Sequence, residues 1–224
     1  MAVLPYCVFS SAAEVGLRGA GVRAAELKLA YCDELNAIYS EHAELDSPTK
    51  EDALAFHGVI ESIFSRVAVV PFRFPTLLAS QAELEEHLRA RHQNYSADLD
   101  RFRDLVQMEL LICGLRAAEK RPENGAAPGS EYLKMRGRDL RSLESAATAT
   151  RGLLAGNIVD WRQSAPAPHP AKGEAVRCYA LVERTRVGAL RQRVPESISA
   201  GTSITLSGPW PPAAFMQSTA KALA

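Results

Sequence analysis

The chain has 224 residues, 47% hydrophobic and 23% charged, which is the mix of an ordinary folded protein and excludes the apolar-poor, charge-rich composition of chains that stay disordered. Lys plus Arg and Asp plus Glu both number 26, so the formal charge is zero, against the basic surplus that binding nucleic acid or an anionic membrane requires. The length admits one large domain or two small ones, and no apolar run reaches the roughly 18 residues that a membrane span needs.

Residues 3–10 read as a first strand, apolar and partly β-branched or aromatic. The amino terminus lacks the basic start of a signal peptide. Gly16, Gly19 and Gly21 follow in the order GxxGxG, the reverse of the dinucleotide fingerprint, and read as a loop. Residues 25–31 alternate apolar and polar over their first five positions as a half-buried strand does, Asp33 and Glu34 offer a turn, and residues 35–39 return as the second strand of a hairpin.

Ser47 and Pro48 predict a helix start, serine as cap and proline in the first turn. Ala53, Phe56, His57, Ile60, Ile63, Phe64 and Val67 recur on one face of that helix, with His57 expected as a core histidine. Residues 67–72 are a short continuous apolar run, expected as a central strand covered on both faces and ending at Pro71. Ser80 and Glu83 form a capping box that opens a long helix over 80–102. Its narrow stripe of Leu84, Leu88, Tyr95, Leu99 and Phe102 suits a mostly exposed helix docked on one partner, a second copy in a homodimer included.

Residues 106–115 read as a strand, 117–130 as a loop, and 131–154 as a helix with Leu140, Leu143, Ala147 and Leu154 on one face. The basic residues Lys134, Arg136, Arg138, Arg141 and Arg151 are interleaved with Glu131, Asp139 and Glu144, the pattern of a solvated face. Residues 163–174, with Pro166, Pro168 and Pro170, are expected as an extended linker. A strand over 176–183, a short helix over 187–194 and a strand over 203–207 that stops at Gly208 complete an α+β pattern. Both halves alternate strands and helices, which predicts two lobes meeting near the helix at 80–102.

Catalytic signatures are missing: there is no Walker A, HExxH, GxSxG or kinase motif. Glu41, His42, Glu44 and Asp46 are the densest group of metal-ligand types, but acids before a helix also favour its amino terminus, and no metal or cofactor is expected. Cys7, Cys32, Cys113 and Cys178 are scattered in apolar runs without a CxxC pair, as reduced core thiols are. Trp210, framed by Pro209, Pro211 and Pro212, has two readings, a plug in the core or a rigid contact residue, and Phe215 and Met216 extend its apolar patch.

Four segments together resemble the gas vesicle protein F/L family: the hairpin over 27–42, the helix around Phe56 and His57 leading to Val69-Val70-Pro71-Phe72-Arg73-Phe74, the helix start Glu131-Tyr132-Leu133, and Leu206-Ser207-Gly208-Pro209-Trp210-Pro211-Pro212. The resemblance implies an N-terminal α+β domain over 1–103 and a modified ferredoxin-like domain with a Pro-rich tail over 104–224. It implies a cytoplasmic accessory or minor structural protein of gas vesicle formation, not an enzyme. Its partners would be the major shell protein and other accessory vesicle proteins, with neither nucleic acid nor membrane. Phe72, Arg73, Phe74, Tyr132, Trp210, Pro211, Pro212 and Phe215 are the candidate contact residues. The rival reading is a small-molecule sensor or enzyme on ferredoxin-like lobes, with its ligand at residues 16–21.

Overall fold

β1 (Ala2–Ser10) is the strand expected at 3–10, and residues 3–9 are all buried. The computed structural model describes residues 1–13, 15–17, 19–114, 129–169, 173–198 and 202–217, with side chains except at 129–136, 138, 139, 169 and 173. Helix and strand are mixed in each part, so the α+β class holds. The chain divides into two units, Met1–Leu105 with Trp210–Ala224, and Val106–Pro209.

In the first unit β2 (Lys28–Cys32) and β3 (Leu35–His42) form the expected hairpin, and a sheet of order β2-β3-β1-β4 results. Asp33 takes the left-handed φ of 53° that this two-residue turn requires and that aspartate tolerates. The register of β1 against β3 shifts between Pro5 and Cys7, beside a proline that has no N–H to give the ladder. β4 (Val70–Pro71) is two residues long and lies at the sheet edge against β1, not in its centre. Pro71, without a donor, is tolerated at such an edge, and this corrects the central strand expected at 67–72.

α1 (Lys50–Phe64) is capped by Thr49 rather than by Ser47. The Thr49 hydroxyl accepts from Asp52 N at 3.1 Å and the Asp52 carboxylate accepts from Thr49 N at 3.0 Å. That reciprocal pair satisfies two orphan donors where Ser47-Pro48 could satisfy one. Ser47 instead turns the chain with φ 49°.

The helix expected over 80–102 is two helices, α2 (Gln81–Ala90) and α3 (His92–Arg101), broken at Arg91 (φ −120°, ψ 14°). Ser80 caps α2 as expected. The break lets Leu84 and Leu88 face β1 and β2 while Tyr95 and Leu99 face β1 and β4. The stripe is therefore buried in its own unit rather than offered to another chain. Each such side chain contributes about 1.5–3 kcal/mol, against about 1 kcal/mol net for a backbone bond lost at the break.

β3 shows how the sheet is covered. Tyr39 hydrogen bonds Gln81 of α2 at 2.7 Å, whereas Ser40 meets Tyr6, whose ring stacks on Phe56 of α1. Successive strand residues point to opposite faces, so α1 covers one face and α2 the other.

The second unit is a sheet of order β6-β8-β5-β9, from β5 (Leu105–Gly114), β6 (Asp160–Gln163), β8 (Gly173–Glu183) and β9 (Thr202–Trp210), with β7 (Ala167–His169) also on β8. α4 (Gly129–Leu154) packs on β8 and buries Leu143, Ala146, Ala147 and Leu154. β6 and β7 replace the linker expected at 163–174, because Pro168 on an outlying strand costs the ladder little. β9 runs past Gly208, whose φ of 112° only glycine adopts readily, as far as Trp210. α5 (Val187–Arg193) matches the short helix expected there. Most of the loop expected at 117–130 lies outside the described residues.

Candidate functional site

Two neighbouring residues of α1 organise the surface of the first unit. Phe56 is buried between Tyr6 and Phe74, with both ring centroids 5.0 Å away. His57, half-buried, lies against the Trp210 ring at 4.9 Å and 59°. The segment between β4 and α2 is tied to β1 at both ends, by Phe72 N donating to Tyr6 O at 2.9 Å and by the Val3–Leu78 bridge at 2.8 and 2.9 Å. Within it Phe72 and Phe74 are half-buried and Arg73 between them is exposed. No hydrogen bond or ion pair holds the Arg73 guanidinium among the described residues; its carbonyl accepts from the Thr76 hydroxyl at 2.6 Å.

The tail beyond Trp210 folds inward. Ala213 N donates to Pro211 O and Phe215 N to Pro212 O, a tight turn that buries Pro211, Pro212, Phe215 and Met216. These four are packing residues, so the apolar patch expected to continue from Trp210 to Phe215 is confined to Trp210. Trp210 itself is half-buried, with one side on His57. Tyr132 belongs to α4, and its side chain lies outside the described residues.

A cluster that periodicity did not single out supports Phe72. His87 Nδ1 accepts from Arg91 at 3.0 Å, leaving Nε2–H to donate to the Tyr95 hydroxyl at 2.9 Å. The Phe72 ring lies 5.5 Å from His87 and 6.5 Å from Tyr95. Burial lowers the His87 pKa and the Arg91 charge lowers it further. Burial raises Tyr95 to about 12. The spacing of His87, Arg91 and Tyr95 by four residues was the signal available in the sequence.

The metal-ligand types at 41–46 are engaged elsewhere. Glu41 pairs with Lys28 at 2.7 Å, and His42 Nε2 is 2.8 Å from Ser40 Oγ. Arg23 reaches the carbonyls of Glu44 and Asp46 and grips the Asp52 carboxylate, holding its pKa below the usual range. Among the described residues no three His, Cys, Asp or Glu side chains converge as a metal site needs. In the glycine segment, Gly16 O accepts from Arg66 and Gly21 N donates to Ala25 O. A Cβ at Gly21 would overlap the Tyr6 hydroxyl, which accounts for that glycine without a phosphate. All four cysteines are buried thiols outside any disulfide, and burial alone pushes Cys7 and Cys178 up to about 12, far from the thiolate form that reacts. An open depression on α4 is lined by Arg141, Glu144, Ser145, Thr148 and Ala149. No helix among the described residues is long and apolar enough to cross a membrane.

Comparison with known proteins places this architecture. Among curated proteins none matches the chain. The crystal structure of the gas vesicle protein GvpF from Anabaena sp. PCC7120 superposes with a TM-score of 0.76 at 14% identity, over 94% of each chain. That of GvpF from Microcystis aeruginosa gives 0.69 at 13% identity, over 94% of this chain and 97% of the other. At such identities the likeness is one of fold. The model of the family described as gas vesicle synthesis protein GvpL/GvpF matches residues 2–217. With nearly its whole length so matched, the chain belongs to the GvpL/GvpF family of gas vesicle synthesis proteins.

Proposed function

We propose that the protein is a non-enzymatic, cytoplasmic accessory or minor structural component that binds the major shell protein, together with other accessory vesicle proteins, and helps nucleate or assemble the shell. The ferredoxin-like lobe that the resemblance implies falls within residues 104–224. The observation that carries this reading is the tethered segment displaying Phe72, Arg73 and Phe74, in the same unit as the half-exposed Trp210. A segment fixed at both ends loses little freedom on binding, and aromatic and arginine side chains are the usual anchors of protein contacts. Phe74 and Trp210 offer apolar area to a sticky subunit. Arg73 has unused N–H donors for a carboxylate or carbonyl of the partner. No cofactor, nucleic acid or membrane enters this role.

The test is co-expression with the shell protein and recovery of the complex through a tag on this chain. Wild-type protein is expected to retain the shell protein, and Arg73→Glu to lose at least about tenfold in retention, as removal of an anchor worth about 1.4 kcal/mol does. Arg73 makes no side-chain bond among the described residues, so this variant leaves the fold intact. Recovery of a folded wild type without shell protein overturns the proposal, and full retention by Arg73→Glu removes the surface from it.

A further inference from the structure

The zero net charge hides a division. The first unit carries eleven Lys and Arg against sixteen Asp and Glu, and the second fifteen against ten, so one is −5 and the other +5. The positive excess is concentrated after β8. Residues 184–193 hold Arg184, Arg186, Arg191 and Arg193, and no acidic residue occurs between Glu183 and Glu196.

These side chains are placed rather than loose. Arg186 donates to Glu183 at 2.8 Å and to Gly156 O at 3.1 Å, and Arg191 donates to Gly208 O at 2.6 Å. A carbonyl orients a guanidinium without cancelling its charge, so Glu183 offsets Arg186 while the Gly208 carbonyl leaves the charge of Arg191 in place. Arg193 is exposed with no partner among the described residues. Between them Thr185, Gly188 and Ala189 are exposed and small, which leaves a face of low relief with arginines around it. Arginine presents a planar fork to carboxylates and stacks on aromatic rings, and it is enriched in protein interfaces.

We infer that the arginine face formed by residues 184–193 docks the acidic first unit of a second copy of this chain. The first unit offers the complementary chemistry. Tyr31 is 67% exposed at the end of β2, beside the exposed Asp33 and Glu34 of the hairpin turn. Cys32 Sγ, 3.9 Å from Glu85 O, brings α2 to the same end of the unit, where Arg89 pairs with Glu85 at 3.7 Å and the exposed Glu86 adds a further carboxylate. Carboxylates around an exposed tyrosine ring can both pair with and stack on guanidinium groups. Because each copy carries one of each surface, every copy can both offer the arginine face and receive it. The contact uses none of Phe72, Arg73, Phe74 or Trp210, so it stands or falls apart from shell binding.

Sedimentation velocity on the purified full chain tests this at two ionic strengths. At about 0.01 M, where the screening length is about 30 Å, the weight-average mass is expected to rise with concentration to at least about twice the monomer's, and at about 1 M to return to the monomer's. Arg191→Glu with Arg193→Glu is expected to stay monomeric at low salt, and so is Glu34→Lys with Glu86→Lys, all four being exposed positions. An equimolar mixture of these two variants regains association, because each supplies a surface that the other can bind. Circular dichroism and urea midpoints equal to wild type establish that both variants fold. A wild type that stays monomeric at low salt, association indifferent to salt, or variants that associate as wild type does would each overturn the inference.

Discussion

The two units solve the problem of covering a sheet differently. In the first, helices lie on both faces, so β1 and β3 are buried on both sides and their polar groups must find partners inside. The result is a chain of bonds in which Val22 N donates to the Tyr6 hydroxyl, Tyr6 meets Ser40 and Ser40 meets His42, each at 2.8 Å. In the second, one face of β8 is wholly buried at Val176, Cys178, Ala180 and Val182, while the other is covered at Ala175 and Leu181 but open between them, where Arg177 is exposed and pairs with Glu109 at 2.8 Å. Double covering turns polar residues into structural ones, whereas partial covering leaves charges available to partners.

Removing a buried anchor of the doubly covered sheet should cost most. Phe102→Ala, at a fully buried site below α3, is expected to lose about 3–5 kcal/mol in urea unfolding. Tyr6→Phe keeps the ring but leaves Val22 N–H without its partner and Ser40 with His42 alone, and a loss of about 1–3 kcal/mol follows from the orphaned N–H. A Tyr6→Phe protein as stable as wild type would break the contrast between the units.

Acidification sharpens it. Burial first, and then Arg23 for His42 and Arg91 for His87, hold both pKa values below the ordinary value of about 6.5. The unfolded chain therefore binds these protons more readily. Stability is complete above pH about 6.5 and falls as the pH drops from there through the lowered folded values. The urea midpoint is expected to decline between pH 7.5 and pH 5.5 or so, and His87→Gln to reduce the slope; a midpoint independent of pH over that range contradicts it. Asp52 acts in the same direction at lower pH, its depressed value being set first by Arg23 and then by Thr49.

The smallest effects belong to the second unit. Arg177→Ala breaks a partly exposed pair and should cost less than about 1 kcal/mol. Arg193→Ala should stay within about 0.5 kcal/mol of wild type, read from the same unfolding curves.

What could be read from the sequence was whatever is local. The apolar run of β1, the β2–β3 alternation, the Ser80 cap and the period of α4 each carry their signal within a few residues. The Thr49 cap was hidden by a stronger-looking Ser47-Pro48 pair, and the break at Arg91 contains neither glycine nor proline. β7 runs through a proline-rich stretch because its outlying position forgives missing donors, a fact that no local pattern states. At the candidate surface the aromatic and arginine types were legible. Their exposure was not, because the burial of Phe215 and the openness of Arg73 are set by partners far away in the chain.

Asp98 of α3 accepts from Gln217 N at 3.1 Å, joining residues 119 positions apart. The first unit thus holds both an early stretch and a late one, with all of the second unit threaded between them. As the polypeptide emerges from the ribosome, residues 1–105 must wait for another hundred residues before Trp210 and Phe215 arrive to finish their packing. During that interval α1 and α3 lack their last cover, and the nascent protein is at its most vulnerable to capture or aggregation. Biogenesis of the first unit is therefore timed by synthesis of the second.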